Sequence, residues 1–155
     1  MGRVADRLAE LGIDLPEAAT PAGSYQPAVI SGEHVYTSGQ LPVVGGELPQ
    51  TGQVGEGAGL VSPAAAQEMA RTCAINAIAA VASVVDLDQV QQVVKVVGFV
   101  SSDPGFTGQP GVVNGASDLL AEVFGDAGRH ARSAVGVAVL PLGASVEVEV
   151  CVRIS

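Results

Sequence analysis

The sequence predicts an α+β domain in which helices lie against one face of a sheet, and three stretches carry that reading. Ser62-Pro63 opens a long Ala-rich segment whose apolar positions recur at helical spacing. Residues 92–100 are a Val-rich, nearly unbroken apolar run. Residues 133–154 alternate apolar with small or polar positions on both sides of a Pro141-Leu142-Gly143 turn. Two strand pairs and two helices thus alternate along 155 residues. That length suits one sizeable core and is short for two, so a single domain over 1–155 is expected.

In chain order, Val4, Leu8 and Leu11 fall at helical spacing with Gly12 behind them, so residues 3–11 read as a short amphipathic helix capping one edge. Residues 13–26 hold Pro16, Pro21 and Gly23 and read as an extended leader. The runs 28–31 and 34–38, separated by Gly32-Glu33, read as a hairpin. Residues 42–59 are rich in Gly, Pro and Gln and poor in core candidates, which predicts a surface excursion holding a brief strand.

Ser62 suits an N-cap, and Pro63 has no N–H to lose at the first helical position, so a helix is expected from there to about Val84. Its buried face is read as Ala66, Met69, Ala70, Cys73, Ala77, Ala80 and Val81, with Glu68, Thr72 and Asn76 as the polar stripe. The 92–100 run is expected to be a central strand covered on both faces, with Lys95 its only charge. After a loop at 105–112, Val113, Ala116, Leu120, Val123 and Phe124 mark a second helix stopped by Gly125. The strands 133–140 and 145–154 are expected to pair. Val135, Val137 and Val139, with Val146, Val148, Val150 and Val152, should face the helices. Ala134, Gly136 and Ala138, beside Glu147, Glu149 and Cys151, should face another subunit.

Composition narrows the functional classes. Hydrophobic residues make up 48% of the chain but aromatics only 3%, with no Trp, so the core must be built from Ala, Val, Leu and Ile. Charged residues are 15%, below the roughly 25% of ordinary soluble domains, which points to surface covered by other copies of the chain. No apolar run reaches the ~18 residues of a membrane span. With a net charge of -9 and seven scattered Lys and Arg residues, nucleic acid is a disfavoured partner. The first eleven residues carry charges of both signs and lack the apolar centre of a secretion signal, so a cytoplasmic location is expected.

Cys73 and Cys151 sit in apolar patterns without C-x-x-C spacing and read as small buried hydrophobes. His34, His130 and the two Cys show no metal-ligand spacing, and there is no Gly-rich phosphate loop, so neither metal nor cofactor is expected. Lys95, the only lysine, is expected to run its stem past the sheet rim, and Ser38 lacks a nucleophile-elbow pattern.

The chemistry concentrates in the last quarter. Arg132 opens a strand, and Glu147 and Glu149 lie on one face of the next, ~6.6 to 6.8 Å apart by strand rise. Arg is the side chain best shaped to grip a carboxylate with two parallel hydrogen bonds. Arg132 at a strand start serves either a surface ion pair or, facing a partly dry pocket behind the Gly-rich 125–131 segment, a small anion. The two Glu are either solvated or, where a subunit contact encloses one, raised in pKa and able to move a proton near neutrality. His130 is either an acid-base group or an exposed polar residue.

These residues resemble a known family. Tyr25 with 28–30, the run Val35-Tyr36-Thr37-Ser38-Gly39-Gln40-Leu41-Pro42, the strand 93–100, Asn114, Arg132-Ser133, Leu140-Pro141 and Val146-Glu147-Val148-Glu149 resemble the RidA family, also called YjgF or endoribonuclease L-PSP. The similarity runs from about 15 to 154, and its 98–118 and 123–142 segments look like the family's longer branch. The resemblance implies a chorismate-mutase-like fold, a mixed sheet backed by two helices, assembled as a homotrimer with clefts between subunits. It also implies hydrolysis of small reactive enamines or imines, such as 2-aminoacrylate, to a 2-keto acid and ammonia.

Carried over by position, Arg132 would hold the substrate carboxylate and Glu147 would orient or activate water. Tyr25 and Ser38 would line the cleft, Gly39 would approach the ligand through its backbone, and Asn114 matches a pocket-side position. Ala134 stands where RidA proper usually has Cys, and the segment between Asn114 and Arg132 is one residue longer. The alternatives are a non-catalytic module that binds a keto acid and, against the charge of -9, an endoribonuclease.

Overall fold

The computed structural model describes residues 2–21 and 23–155. Met1, in the segment read for a secretion signal, and Ala22, in the leader, lie outside the described residues. Helix α1 (Arg3–Glu10) buries Val4 and Leu8. Its first amides are capped from a distance in sequence: the Asp88 carboxylate accepts from the N–H of Arg3 at 3.0 Å and of Val4 at 2.8 Å. Strands β1 (Ala28–Ser31) and β2 (His34–Thr37) form the expected antiparallel hairpin. Gly32 supplies the turn with φ +59°, a conformation that disfavours a side chain.

Helix α2 (Pro63–Ala82) starts where Ser62-Pro63 predicts, with Ser62 Oγ accepting the Ala65 amide at 3.1 Å. Strand β3 (Val90–Ser101), helix α3 (Gln109–Phe124), strand β4 (Ala131–Val137) and strand β5 (Val146–Ile154) follow. The sheet has five strands in the order β1-β2-β5-β3-β4, with β3 and β4 parallel and the other neighbours antiparallel. Helices α2 and α3 cover one face. Between sheet and helices lie Val35, Val93, Val96, Val100, Val146 and Val148, all fully buried, against Ala66, Ala70, Cys73, Ala77, Val113 and Leu120. No helix among the described residues is long and apolar enough to cross a membrane.

Several expectations are corrected. The stretches 133–140 and 145–154 do not pair. Strand β4 lies beside β3 through the α3 crossover, and β5 inserts between β2 and β3. Alternation specifies which residues share a face, but a turn between two strands does not oblige them to bond, and parallel neighbours need the long connection that α3 provides. The β4 faces are consequently exchanged: Arg132, Ala134 and Gly136 are in register with the helix-covered Val96, Gly98 and Val100, whereas Val135 is 44% exposed on the other face.

The second helix starts at Gln109 and not near Val113. Gly108-Gln109-Pro110-Gly111 looks like a loop, yet Pro in a first helical turn forfeits no hydrogen bond. Strand β3 is interior as expected but is covered on one face only, and Lys95 points from the middle of its open face to Ser133 Oγ at 3.4 Å, not past a rim. The brief strand of the 42–59 excursion is reduced to single bridges from Val54 to Val61 and Ser102.

Helices α2 and α3 approach closely because small residues meet at their contact. A Cβ on Gly115 would stand 2.0 Å from the Gln67 carbonyl oxygen, a backbone atom that cannot step aside, whereas a Cβ on Gly111, in the same helix, would meet nothing within 4 Å. Gly115→Ala should therefore cost ~1 to 3 kcal/mol as the helices are forced apart. Gly111→Ala should be neutral or stabilising by up to ~1 kcal/mol. Urea unfolding of the two variants checks both, and equal effects would remove the close contact as the reason for Gly115.

Candidate functional site

Arg132 leaves the start of β4 beneath the first two turns of α3. Its Nη1 donates to Asn114 Oδ1 at 2.8 Å and to Ser117 Oγ at 3.1 Å, and its Nη2 donates to the Pro110 carbonyl at 3.0 Å. The acceptors lie on one side of α3 because Pro110, Asn114 and Ser117 follow one another at spacings of four and three residues. All are neutral. Among the described residues no carboxylate forms an ion pair with Arg132, and its Nε–H and second Nη2–H donate to no protein group. The arrangement orients a cation without neutralising it, and leaves two donors for a ligand.

A second group forms on the far side of the sheet. Glu147, half-buried on β5, packs against Gly39, where a Cβ would come 1.9 Å from Glu147 Oε1. The carboxyl thus fills the space that a side chain at position 39 would take. Burial, and after it the charge of Glu149, push the Glu147 carboxyl above the usual carboxylate range. Ser38 precedes Gly39 and donates its hydroxyl to the Gln26 carbonyl at 2.6 Å, tying the end of β2 to the leader. Tyr25 and Gly39 line a hollow of about 460 Å³ shared with Leu41, Val43 and Asn76. Asn76 holds its floor by donating to the Leu41 and Val43 carbonyls.

The predicted site residues therefore separate into two groups. Arg132 and Asn114 meet under α3, and Tyr25, Ser38, Gly39 and Glu147 meet around the β2 end of the sheet. Arg132 and Glu147 are not on adjacent strands, as the paired-strand reading expected. Strand β3 lies between them, Arg132 in register with Val96 and Glu147 with Phe99, and the two side chains leave opposite faces. Their strands stand roughly 10 Å apart laterally.

Ala134 shares the helix-covered face with Arg132 and packs against the core, where it presents only a methyl group. Ser117 and the Pro110 carbonyl are functional neighbours of Arg132 that the sequence motifs do not single out. The i, i+3 spacing of Asn114 and Ser117 is the signal that points to them. Arg129 is exposed and paired with Asp126 at 3.5 Å, away from Arg132.

The open sheet face holds a second hollow of about 390 Å³ lined by His34, Tyr36, Lys95, Val97, Glu149 and Cys151. Cys151 is thus partly exposed there and not a core residue, whereas Cys73 is fully buried and burial pushes its thiol well up. Among the described residues no three His, Cys, Asp or Glu side chains gather as a metal ion would require.

A mixed five-stranded sheet with two long helices on one face and the other face open defines the chorismate-mutase-like α+β class. Residues 5–153 match the family described as "YjgF/chorismate_mutase-like, putative endoribonuclease", and the chain belongs to that family. It is 50% identical to Protein TCP17 of Trypanosoma cruzi, across 99% of this chain and 96% of that one. A protein of unknown function from Agrobacterium tumefaciens is 46% identical, with a TM-score of 0.89 over 99% of this chain and 93% of that one. The structure of E. coli TdcF with bound serine is 25% identical, with a TM-score of 0.63 over 91% of this chain and 94% of that one.

The raised carboxyl has a consequence for stability. Because the folded-state pKa of Glu147 lies above its unfolded value, the stability its proton contributes is present at low pH and is lost as pH rises through the raised value. Glu147→Gln has no proton to lose. Its stability relative to wild type should rise between about pH 4 and pH 8, bracketing the ordinary Glu range, as measured by urea unfolding at both pH values. Parallel curves would show that this carboxyl titrates as a solvated one.

Proposed function

We propose that this protein hydrolyses small reactive enamine or imine acids, of the 2-aminoacrylate type, to 2-keto acids and ammonia, in clefts shared between identical subunits of a homotrimer. The observation that carries the reading is the Arg132 guanidinium, oriented by three neutral acceptors, lacking a carboxylate partner among the described residues and keeping two N–H groups for a ligand. Such a group is made for a carboxylate. The bound serine of E. coli TdcF, a relative of the same fold, is a small acid of this size class.

A shared cleft follows from the separation of the two groups. One chain holds Arg132 and Asn114 on one face and Tyr25, Ser38, Gly39 and Glu147 about the other, so a single copy does not bring cation and carboxyl to one substrate. A neighbouring copy docked on the open face supplies the missing half. That face exposes Val29, Tyr36 and Val135, each 44–49% accessible, apolar surface that a second copy would bury.

The reaction then needs only positioned proton transfer. The substrate carboxylate sits on Nε–H and Nη2–H of Arg132. An enamine becomes the imine by gaining a proton at C3 from solvent and releasing one from nitrogen to solvent. Glu147, which keeps its proton to higher pH than an ordinary carboxyl, gives it to the imine nitrogen. Water adds to C2 as the C=N pair moves to nitrogen, and the Glu147 carboxylate takes the water proton. Return of that proton to the amine breaks the C–N bond and releases ammonia. The carboxylate recovers its proton from the hydroxyl as the keto group forms. Arginine and proximity supply the orientation.

The test adds purified protein to a dehydratase that generates 2-aminoacrylate from serine, following pyruvate release. Wild type should accelerate release, Arg132→Ala should lose about two orders of magnitude in kcat/KM, and Arg132→Lys should lose at least about tenfold because a point charge replaces the fork. Glu147→Gln should lower kcat by about 10² to 10⁴. Sedimentation should give three chains per particle. Pyruvate release unaffected by the protein, or a monomer, would overturn the proposal. Saturable pyruvate binding without acceleration would replace it with a keto-acid-binding role.

A further inference from the structure

We propose that His130, acting through Ser117, is a positioning residue for the Arg132 guanidinium; this rests on the reading of Arg132 as the carboxylate-binding group. Three contacts form a chain. His130 Nδ1 lies 2.6 Å from the Gly128 carbonyl, His130 Nε2 lies 2.8 Å from Ser117 Oγ, and Ser117 Oγ lies 3.1 Å from Arg132 Nη1.

The direction of every bond follows from the groups at its ends. A carbonyl only accepts, so Nδ1 carries the proton and donates to Gly128. Arg132 only donates, so Ser117 Oγ accepts from it. The neutral Nε2 then accepts the one proton that Ser117 has to donate, and every donor in the chain finds an acceptor. With Nε2 also protonated, Ser117 would receive two donors and its own hydroxyl proton would have no partner in the chain.

The far end of the chain is rigid. Gly128 is buried against α3, where a Cβ would stand 2.2 Å from the Leu120 carbonyl oxygen, so the carbonyl that sets the His130 tautomer is fixed by backbone contact. What His130 contributes is the orientation of one hydroxyl. A helical serine otherwise turns its proton back to the carbonyl four residues earlier, here that of Val113. With the proton drawn to Nε2, the Ser117 lone pair faces Arg132. Together with Asn114 this occupies both Nη1 hydrogens and turns the Nε–H edge outward.

Links in series have a signature. Ser117→Ala and His130→Asn, which keeps an amide for the Gly128 carbonyl but is too short to reach Ser117, should each raise the dissociation constant for pyruvate roughly 3- to 10-fold, the loss of one hydrogen bond to a charged group's support. The double variant should be no worse than either single one. Ser117→Thr, which keeps the hydroxyl, and His130→Gln, whose amide oxygen reaches towards the Nε2 position, should recover most of the affinity.

Titration calorimetry with pyruvate, alongside melting temperatures, reads this out. Unchanged affinity in Ser117→Ala and His130→Asn while Arg132→Ala abolishes binding would overturn the relay and leave the role of Arg132 standing. Additive losses, or affinity following melting temperature without rescue by Ser117→Thr, would also overturn it. Binding indifferent to Arg132→Ala would remove the reading on which the relay rests and the relay with it.

Discussion

The parallel register of β4 beside β3 is the constraint from which the rest of this molecule follows. It demands a crossover, which α3 provides, and the crossover brings the first turns of α3 over the start of β4. Arg132 therefore emerges beneath acceptors belonging to α3. The same arrangement leaves the other edge of β3 for β5, which pairs on its far side with β2 and becomes the middle of the sheet. A C-terminal hairpin would have put Arg132 and Glu147 side by side within one chain. The crossover puts a strand and a sheet thickness between them.

That separation divides the chemistry between two environments. Arg132 is partly solvated and held by neutral oxygens, which direct a cation without discharging it, so its attraction for an incoming acid is kept. Glu147 is half-buried against Gly39 with Glu149 on the same face, and both burial and like charge favour its protonated form. A cation without a counter-charge and a carboxyl inclined to keep its proton are thus prepared independently. An association of copies that joins the two faces would complete the site without remodelling either.

The near absence of aromatic residues suits this architecture. Ala and Gly on α2 and α3 let the helices touch through backbone, as Gly115 does with Gln67, and let α3 settle on the sheet where Gly98 faces Val113. A thin, small-residue layer on one face keeps the sheet close to its helices. The large apolar side chains Val29, Tyr36 and Val135 are left on the other face, which a second copy is proposed to cover.

Local physics made much of this legible in advance. The Ser62-Pro63 cap, the hairpin at Gly32 and the buried Val rows of β3 and β5 were all readable, because capping, turn geometry and alternation act over a few residues. Strand partnership was not readable. Alternation assigns side chains to faces but names no neighbour, so it does not distinguish a β4 paired with β5 from the observed β4 paired with β3. The α3 start was hidden for a related reason, since Gly and Pro read as loop until a helix is seen to tolerate them in its first turn.

The chain by itself determined which residues carry charge, which carry apolar bulk and where helices can begin, since these are properties of side chains and near neighbours. Only the tertiary structure decided that Arg132 faces Asn114 and Ser117, that His130 reaches it through Ser117, and that Glu147 lies on the opposite side of the sheet. Those relations depend on which distant backbones share hydrogen bonds, and that choice is made by packing the whole core at once.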